Sequence, residues 1–198
     1  MSAEVREAAL RLLEYQDRSI KELRDRLLKK EYPGEEVEQV ILSLSDCGLL
    51  DDRRYAEMFV RSKLSSGKGR VYISNKLREK GISSEISECV MTEIFEEHDE
   101  KALCLKKALA VCGLSGRFEV SEDGELVPVI DFFDERAEET EANDTIGYFE
   151  PKDEHLRSDR QACRAYREKA KAKLTRRLIS AGFSTGMVFD AVKKIEQL

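Results

Sequence analysis

Apolar residues recur at helical spacing through most of this chain, and the pattern then repeats itself. Residues 3–15 carry Leu10 and Leu13, flanked by Val5, Ala8, Ala9 and Leu12, which predicts a first helix. After the break Gln16-Asp17-Arg18, Ser19 stands as an N-cap with Glu22 three residues on, the spacing of a capping box. The helix it opens has Ile20, Leu23, Leu27 and Leu28 as its apolar residues, and Lys21, Arg24, Asp25, Lys29 and Lys30 on its outer face. Tyr32-Pro33-Gly34 ends it, because proline disfavours helix at the residue before it. A third helix over residues 35–46 turns Val37, Val40, Ile41 and Leu44 inward, and Gly48 closes it as a C′ residue.

The stretch Gly48-Leu49-Leu50-Asp51-Asp52-Arg53-Arg54-Tyr55-Ala56 starts the pattern again. Asp51 reads as an N-cap whose carboxylate accepts from free N–H groups of the first turn. Leu50 and Tyr55 sit at staple spacing. Tyr55, Met58 and Phe59 mark one buried face, with Ala56 and Val60 at its edges. This helix ends near Ser65-Ser66-Gly67, and Gly67-Lys68-Gly69-Arg70 reads as a flexible hinge. The next helix turns Val71, Ile73 and Leu77 inward and Lys76, Arg78 and Lys80 outward. Gly81-Ile82-Ser83 turns the chain into a third helix over residues 85–97.

An ungapped shift of 50 residues brings Leu23 onto Ile73, Leu27 onto Leu77, Ile41 onto Met91 and Leu44 onto Ile94. A further shift of 101 brings Ile73 onto Leu174, Leu77 onto Leu178, Gly81 onto Gly182 and Ile94 onto Ile195. The predicted fold is all-α: three tandem three-helix repeats in an elongated array, each completing its core against a neighbour. The repeats are expected at residues 1–50, 51–98 and 99–198. The third is interrupted at 115–157 by an acidic insert. Its first helix covers 100–112, and helix resumes near Ser158. In the insert, the runs 117–120 and 126–130 flank Glu122-Asp123-Gly124-Glu125, which signals a small β-hairpin with Pro128 at an edge. Residues 134–144 are acidic and poor in apolar side chains and read as mobile; the insert as a whole reads as a poorly ordered loop, or alternatively as an acidic strip that shields the basic stripe or contacts a partner's basic surface.

Charge sharpens this picture. Residues 115–160 hold 15 acidic and 5 basic side chains, so a chain of net charge −6 divides into an acidic insert of −10 and a helical body of +4. Charged residues make up 37% of the chain and there is no tryptophan, which suits a charged helical protein. No apolar run approaches a membrane span, and the N-terminal residues lack a signal-peptide core. A cytoplasmic monomer with no membrane contact is expected. Cys47, Cys89, Cys104, Cys112 and Cys163 show no Cys-x-x-Cys, and His98 and His155 lie far apart. Reduced, mostly core thiols are expected rather than a metal site or disulfides.

No catalytic constellation is visible, no nucleotide loop is formed by Gly67-Lys68-Gly69-Arg70, and no cofactor is implied. The candidate contacts are cationic. Arg61, Lys63, Lys68 and Arg70 cluster around the second repeat's first joint, and Lys76 and Lys80 share a face by i,i+4 spacing. Arg160, Arg164, Arg167 and Lys171 form a basic stripe in the third repeat. Such charges can meet phosphates or an acidic protein surface. Aromatics are not interleaved with them, so contact with nucleic acid is expected at the backbone, weak or indirect, without base stacking.

Gly48-Leu49-Leu50-Asp51-Asp52-Arg53-Arg54-Tyr55-Ala56, with Phe59-Val60-Arg61 and Gly67-Lys68-Gly69, resembles the signature of the RecX family. Ser19, Lys21-Glu22-Leu23, Leu27 and Lys80-Gly81-Ile82 also match. The resemblance covers about residues 3–112 and 158–198. It implies that the three-helix repeats form an elongated crescent, and that the chain is a non-enzymatic regulator of the recombinase RecA that binds its filament on single-stranded DNA and modulates, chiefly by inhibition, its recombinase and ATPase activity. Roles in recombination, DNA repair and the SOS response follow from it. Asp51, Asp52, Tyr55, Phe59, Gly67 and Gly69 would then be signature residues of the architecture. The sequence pattern equally admits a free-standing DNA-backbone-binding protein, or an adaptor for another assembly. The acidic insert, and Ala181-Gly182-Phe183 in place of Lys-Gly-Ile, depart from the family pattern.

Overall fold

Six of the described helices begin where a short polar side chain accepts from the first turn. In the computed structural model, which describes residues 3–121, 123–128, 149, 151, 153 and 158–197, the elements run α1 Ala3–Tyr15, α2 Ile20–Leu28, α3 Gly34–Asp46, α4 Asp52–Ser65, α5 Arg70–Glu79, α6 Ser84–Glu96, α7 Glu100–Cys112, β1 Phe118–Val120, β2 Leu126–Pro128, α8 Arg160–Ser180 and α9 Thr185–Glu196. Ser19, Asp51, Ser83, Asp99, Asp159 and Ser184 are the N-caps of α2, α4, α6, α7, α8 and α9, each accepting from a first-turn N–H. One such cap contributes about 1 kcal/mol. At their ends, Gly48, Gly67 and Gly113 adopt positive φ.

The helices fall into trios, α1–α3, α4–α6 and α7–α9. The aligned apolar positions are the ones that lose all solvent: Leu23, Ile73 and Leu174, Leu27, Leu77 and Leu178, and Val40 and Val90 are fully buried. Two compact units divide the chain, and the division falls within α5. The first is Met1–Ser66 with Ile73–His98; the second is Gly67–Tyr72 with Asp99–Leu198. In the first unit, Val5, Ala9, Leu23, Leu27, Val37, Val40, Ile41, Leu44 and Leu50 form one core where α1, α2 and α3 meet. Also in this unit, α4 packs on α6, and Tyr55, Ala56, Val60, Leu64, Met91 and Ile94 are buried. In the second unit, the core joins Cys104, Leu105, Ala108 and Leu109 of α7 to Leu174 and Leu178 of α8 and to Val188, Ala191, Val192 and Ile195 of α9.

Four positions differ from the sequence reading. The inward face of α4 is Tyr55, Ala56, Val60 and Leu64, with Met58 43% exposed. Residues 56, 60 and 64 are one turn apart, and position 58 falls across the helix from them. Val71 is 55% exposed rather than inward, since the α5 stripe runs through Ile73 and Leu77. On α1 the buried residues are Val5 and Ala9, while Leu10 points outward; on α2, Leu28 does the same. Of the cysteines only Cys104 is buried. Cys47 and Cys89 are exposed, and all five are free thiols. Burial pushes the Cys104 thiol up to about 12, which keeps it protonated.

The insert is part of the fold wherever it is described. β1 and β2 pair antiparallel, Phe118 with Pro128 and Val120 with Leu126. Phe118, Val120 and Leu126 pack against the second unit's core, and Phe149 is buried within it. Lys194 Nζ donates to the Gly124 carbonyl at 2.7 Å and pairs with Glu125 at 2.9 Å, which ties the hairpin turn to α9. The segment 134–144 lies outside the described residues.

Candidate partner-contact surface

The signature residues build a joint that occurs twice, once inside each compact unit. Asp51 Oδ1 caps its own helix, accepting from Arg53 N at 2.8 Å and Arg54 N at 3.2 Å. The next residue, Asp52, turns away and accepts from Ile20 N at 2.9 Å. It thereby caps α2, an element 32 residues earlier. Burial raises the Asp52 carboxyl, and the neighbouring Asp51 charge adds to that against the Ile20 N–H and Arg24. Ser19 Oγ, fully buried, accepts from Glu22 N at 3.2 Å and donates to the Lys80 carbonyl at 2.6 Å. Lys80 Nζ meets Glu22 Oε1, and the Tyr55 hydroxyl donates to Glu22 Oε2 at 3.1 Å. Burial alone would raise the Glu22 carboxyl, but Lys80, Tyr55 and the Ser19 backbone N–H together hold it below the usual carboxylate range. Gly81 completes the joint. At φ +80 it lies so near α2 that an added Cβ would sit 2.6 Å from Lys21 Cβ.

The second joint uses the same positions with other atoms. Asp99 caps α7 through Lys101 N at 2.8 Å, and Glu100 Oε1 accepts from Arg70 N at 2.9 Å, as Asp52 does from Ile20. Gly69 stands where Ser19 stands, and its N–H donates to the Ala181 carbonyl at 2.8 Å. Val71 N donates to Gly182 O at 3.1 Å. A Cβ on Gly69 would lie 2.6 Å from Gly182 C, and one on Gly182 would lie 2.8 Å from Tyr72 Cα. Gly69 is therefore required for close backbone approach, not for a loose hinge. Ala181-Gly182-Phe183 makes the main-chain bonds of this joint, while an alanine in the place of Lys80 cannot repeat the pair with Glu22.

Glu31 occupies the position of Gly81 and Gly182 in the first trio, and is the one non-glycine residue at positive φ among the described residues, at 64°. Its side chain is exposed. Glycine at this position is expected to raise stability by about 0.5–1 kcal/mol, the left-handed strain relieved less the chain entropy glycine adds. Thermal unfolding followed by circular dichroism should show a rise of about 2 °C; a fall would mean that Glu31 makes an unrecognised stabilising contact.

The candidate cations divide by what already holds them. In the first unit, Arg61 is exposed and 3.7 Å from Glu97, and Lys63 Nζ lies 5.2 Å from the Phe59 ring centroid. Lys76 pairs with Glu79 at 2.6 Å, and Lys80 is committed to Glu22. In the second unit, Lys68 Nζ lies 4.7 Å from the Tyr72 ring centroid, and Arg70 is exposed. Lys171 pairs with Glu196 at 2.6 Å and Glu168 at 3.4 Å. The Glu196 bond is the main reason its pKa is raised. Arg164 and Arg167 are exposed along a groove of about 470 Å³ that Arg160, Lys171 and Glu196 also line. Lys80 therefore has a structural role in the first joint, paired with Glu22. Aromatics do accompany the charges: Phe59 and Tyr72 each carry a lysine over the ring, which leaves those faces covered. Among the described residues no group of His, Cys, Asp or Glu could hold a metal ion, and no helix is long and apolar enough to cross a membrane.

The same two trios are the ones that known proteins share. Residues 6–44 match the family model of the RecX first three-helix domain, and residues 51–91 match that of the RecX second three-helix domain. The regulatory protein RecX of Halorhodospira halophila is 35% identical over 108 residues, covering 54% of this chain and 65% of its own length. That of Pelodictyon phaeoclathratiforme is 39% identical over 101 residues, 50% of this chain and 61% of its own. The chain belongs to the RecX family. The matched stretch spans somewhat under two thirds of these RecX relatives. A crystal structure of RecX from Lactobacillus salivarius superposes with a TM-score of 0.61 over 99% of this chain and 97% of that one, at 19% identity, which shows a shared fold.

Within the RecX pattern, Arg53 and Arg54 serve the architecture. Arg53 Nη2 donates to both Glu93 carboxylate oxygens at 2.7 and 2.8 Å and its Nε reaches Glu57 at 3.1 Å; Arg54 donates to the carbonyls of Gly48 and Leu49 in the turn that follows α3. The cross-helix bonds of Asp52 and Glu100 were missed in the sequence. One signal was available: Asp51-Asp52 and Asp99-Glu100 are both cap-plus-acid pairs opening the first helix of a trio.

Proposed function

We propose that this chain regulates RecA, binding its filament on single-stranded DNA and inhibiting the filament's recombinase and ATPase activity. The observation that carries this reading is the match of two consecutive RecX three-helix domains, in order, over residues 6–91. In this reading the trios lie along the filament groove and bridge neighbouring RecA subunits, which blocks extension or favours disassembly. Arg61, Lys63, Lys68 and Arg70 supply contacts to acidic protein or to phosphates. Lys63 and Lys68 support that role best, since each is braced by an aromatic ring rather than consumed by a carboxylate. Arg61 and Lys63 stand on α4, which Asp51 caps, and the ring contacts of Lys63 and Lys68 already restrict those side chains, so that little of their freedom is lost on contact.

The test is RecA's single-stranded-DNA-dependent ATPase with this protein titrated in, at physiological salt, and DNA binding by the protein alone followed in parallel. Inhibition is expected at concentrations where the protein alone holds little DNA. Lys63→Glu with Lys68→Glu should weaken inhibition on the order of tenfold with helix content unchanged. An ATPase that does not respond to the wild-type chain would sink the regulatory reading and leave the fold untouched.

A further inference from the structure

Helix α8 is longer than its repeat requires. Its counterparts α2 and α5 have 9 and 10 residues, whereas α8 has 21. Leu174 and Leu178 align with Leu23 and Leu27 and are its only buried residues. Residues 160–173, about four turns, bury nothing fully. A helix without a buried face lacks the packing that ordinarily sustains one. Here Ala170 packs partly buried against the core, and the stretch before it is sustained by the Asp159 cap, which accepts from Gln161 N at 2.8 Å and Ala162 N at 3.3 Å, and by a run of strong helix formers.

Its charges are arranged against its own stability. The helix carries Arg160, Arg164, Arg167, Lys169, Lys171, Lys173, Arg176 and Arg177 against a single acid, Glu168, in a chain of net charge −6. Arg160 and Arg164 stand near the N-terminus, where the helix dipole disfavours a cation. Lys169 and Lys173, and Lys173 and Arg177, are like-charged at i,i+4. The groove face is partly neutralised, because Lys171 is held by Glu196 and Glu168. Among the described residues no carboxylate pairs with the opposite face: Lys169, Lys173 and Arg176 follow one another one turn apart, with Arg177 beside them, and all four are exposed. A self-repelling cationic row on a surface that buries nothing is stabilised by a polyanion, whose phosphates repeat along a line as the row does.

We infer that the solvent face of α8, formed by Lys169, Lys173, Arg176 and Arg177, is a nucleic-acid-backbone-binding surface that grips phosphates without reading bases. Tyr166, partly exposed beside this row, supplies an edge on which a base can rest. The surface sits on the extension and turn of α8 that the RecX domain models at 6–44 and 51–91 do not include. It deepens the filament reading by giving the chain its own hold on the strand, and it stands on the helix alone.

The experiment uses the full chain and a fluorescent oligothymidine, with no RecA present, titrated at several salt concentrations beginning low. Binding is expected to weaken as salt rises, with log K falling by about 0.7 per phosphate contact against log salt. Reversal of the row, K169E with K173E and R176E, should weaken low-salt binding at least about tenfold and flatten the slope by about 2. A control reversal at exposed Lys29 and Lys30 should leave binding unchanged, and a mixed-sequence strand should behave as oligothymidine does. Helix content of the reversed chain, read by circular dichroism, must match wild type; if it does not, the neutral set K169Q, K173Q and R176Q replaces it and should lose binding in the same direction. No binding by the wild type at low salt, or equal loss in α8 and control variants, overturns the inference. ATPase inhibition lost with oligothymidine binding intact also overturns it, assigning the row to an acidic protein surface. Oligothymidine binding lost with ATPase inhibition retained supports it, and leaves the filament reading to rest on the other contacts.

Discussion

Alanine at Gly182 is expected to destabilise the second unit by about 3 kcal/mol. Two terms combine. At φ +93 an L-residue is strained, which costs about 1–2 kcal/mol. The new Cβ also meets Tyr72 N, Cβ and Cα, the last at 2.8 Å. Backbone cannot swing aside as a lysine tip can, so overpacking adds about 1–3 kcal/mol. The reduced entropy of the unfolded chain returns a fraction of this. Gly124→Ala is the matched control: φ is +75, but nothing lies within 4 Å of its Cβ, so the strain term alone applies. Thermal unfolding should place Gly182→Ala several degrees below Gly124→Ala, and amide exchange should accelerate at Gly69 and Val71, whose N–H groups donate across this joint. Equal midpoints for the two variants would mean that the joint yields, and that its tight fit carries no energy.

Ser19→Ala should cost about 2–3 kcal/mol, well above an ordinary cap. The hydroxyl does two things at once at a site with no solvent. It accepts from Glu22 N and it donates to the Lys80 carbonyl at 2.6 Å. Removing it loses the cap, about 1 kcal/mol, and leaves a carbonyl without its donor where water does not replace it, about 1–2 kcal/mol more. Ser83→Ala is the comparison, since Ser83 caps α6 through Ile86 N at 3.3 Å and is exposed. Urea unfolding of both variants separates the terms. If the two lose the same stability, the bond to Lys80 contributes nothing and the first joint is held by Glu22, Lys80 and Tyr55.

The sequence showed which residues would be buried far better than which would touch. Shifts of 50 and 101 residues found Leu23, Ile73 and Leu174 because burial imposes the same demand at each repeat. Met58 and Val71 were misplaced because a short apolar cluster fixes a helix but not its rotation, and one residue's step turns the face by 100°. The second role of Asp52 was hidden for a different reason: its partner, Ile20 N, becomes a neighbour only after the trios pack. Lys80 looked like any exposed lysine until Glu22 and Tyr55 were placed around it. The basic character of α8 was legible in full. Its lack of a fully buried residue along 160–173 was not, since the alanines there could have packed fully.

The second joint is made almost entirely of main chain: Gly69 N to Ala181 O, Val71 N to Gly182 O, and two glycines pressed against backbone. Such a joint does not register most substitutions. Selection at Ala181, Val71 or Phe183 can act on size and polarity while the atoms that make the contact stay the same in every residue type. A lineage can therefore drift until little identity is left and still superpose, as a TM-score of 0.61 at 19% identity illustrates. Distant members of this fold are then better sought by the spacing of a few marks than by overall likeness: a cap followed by an acid, and a glycine in the turn that meets the preceding trio.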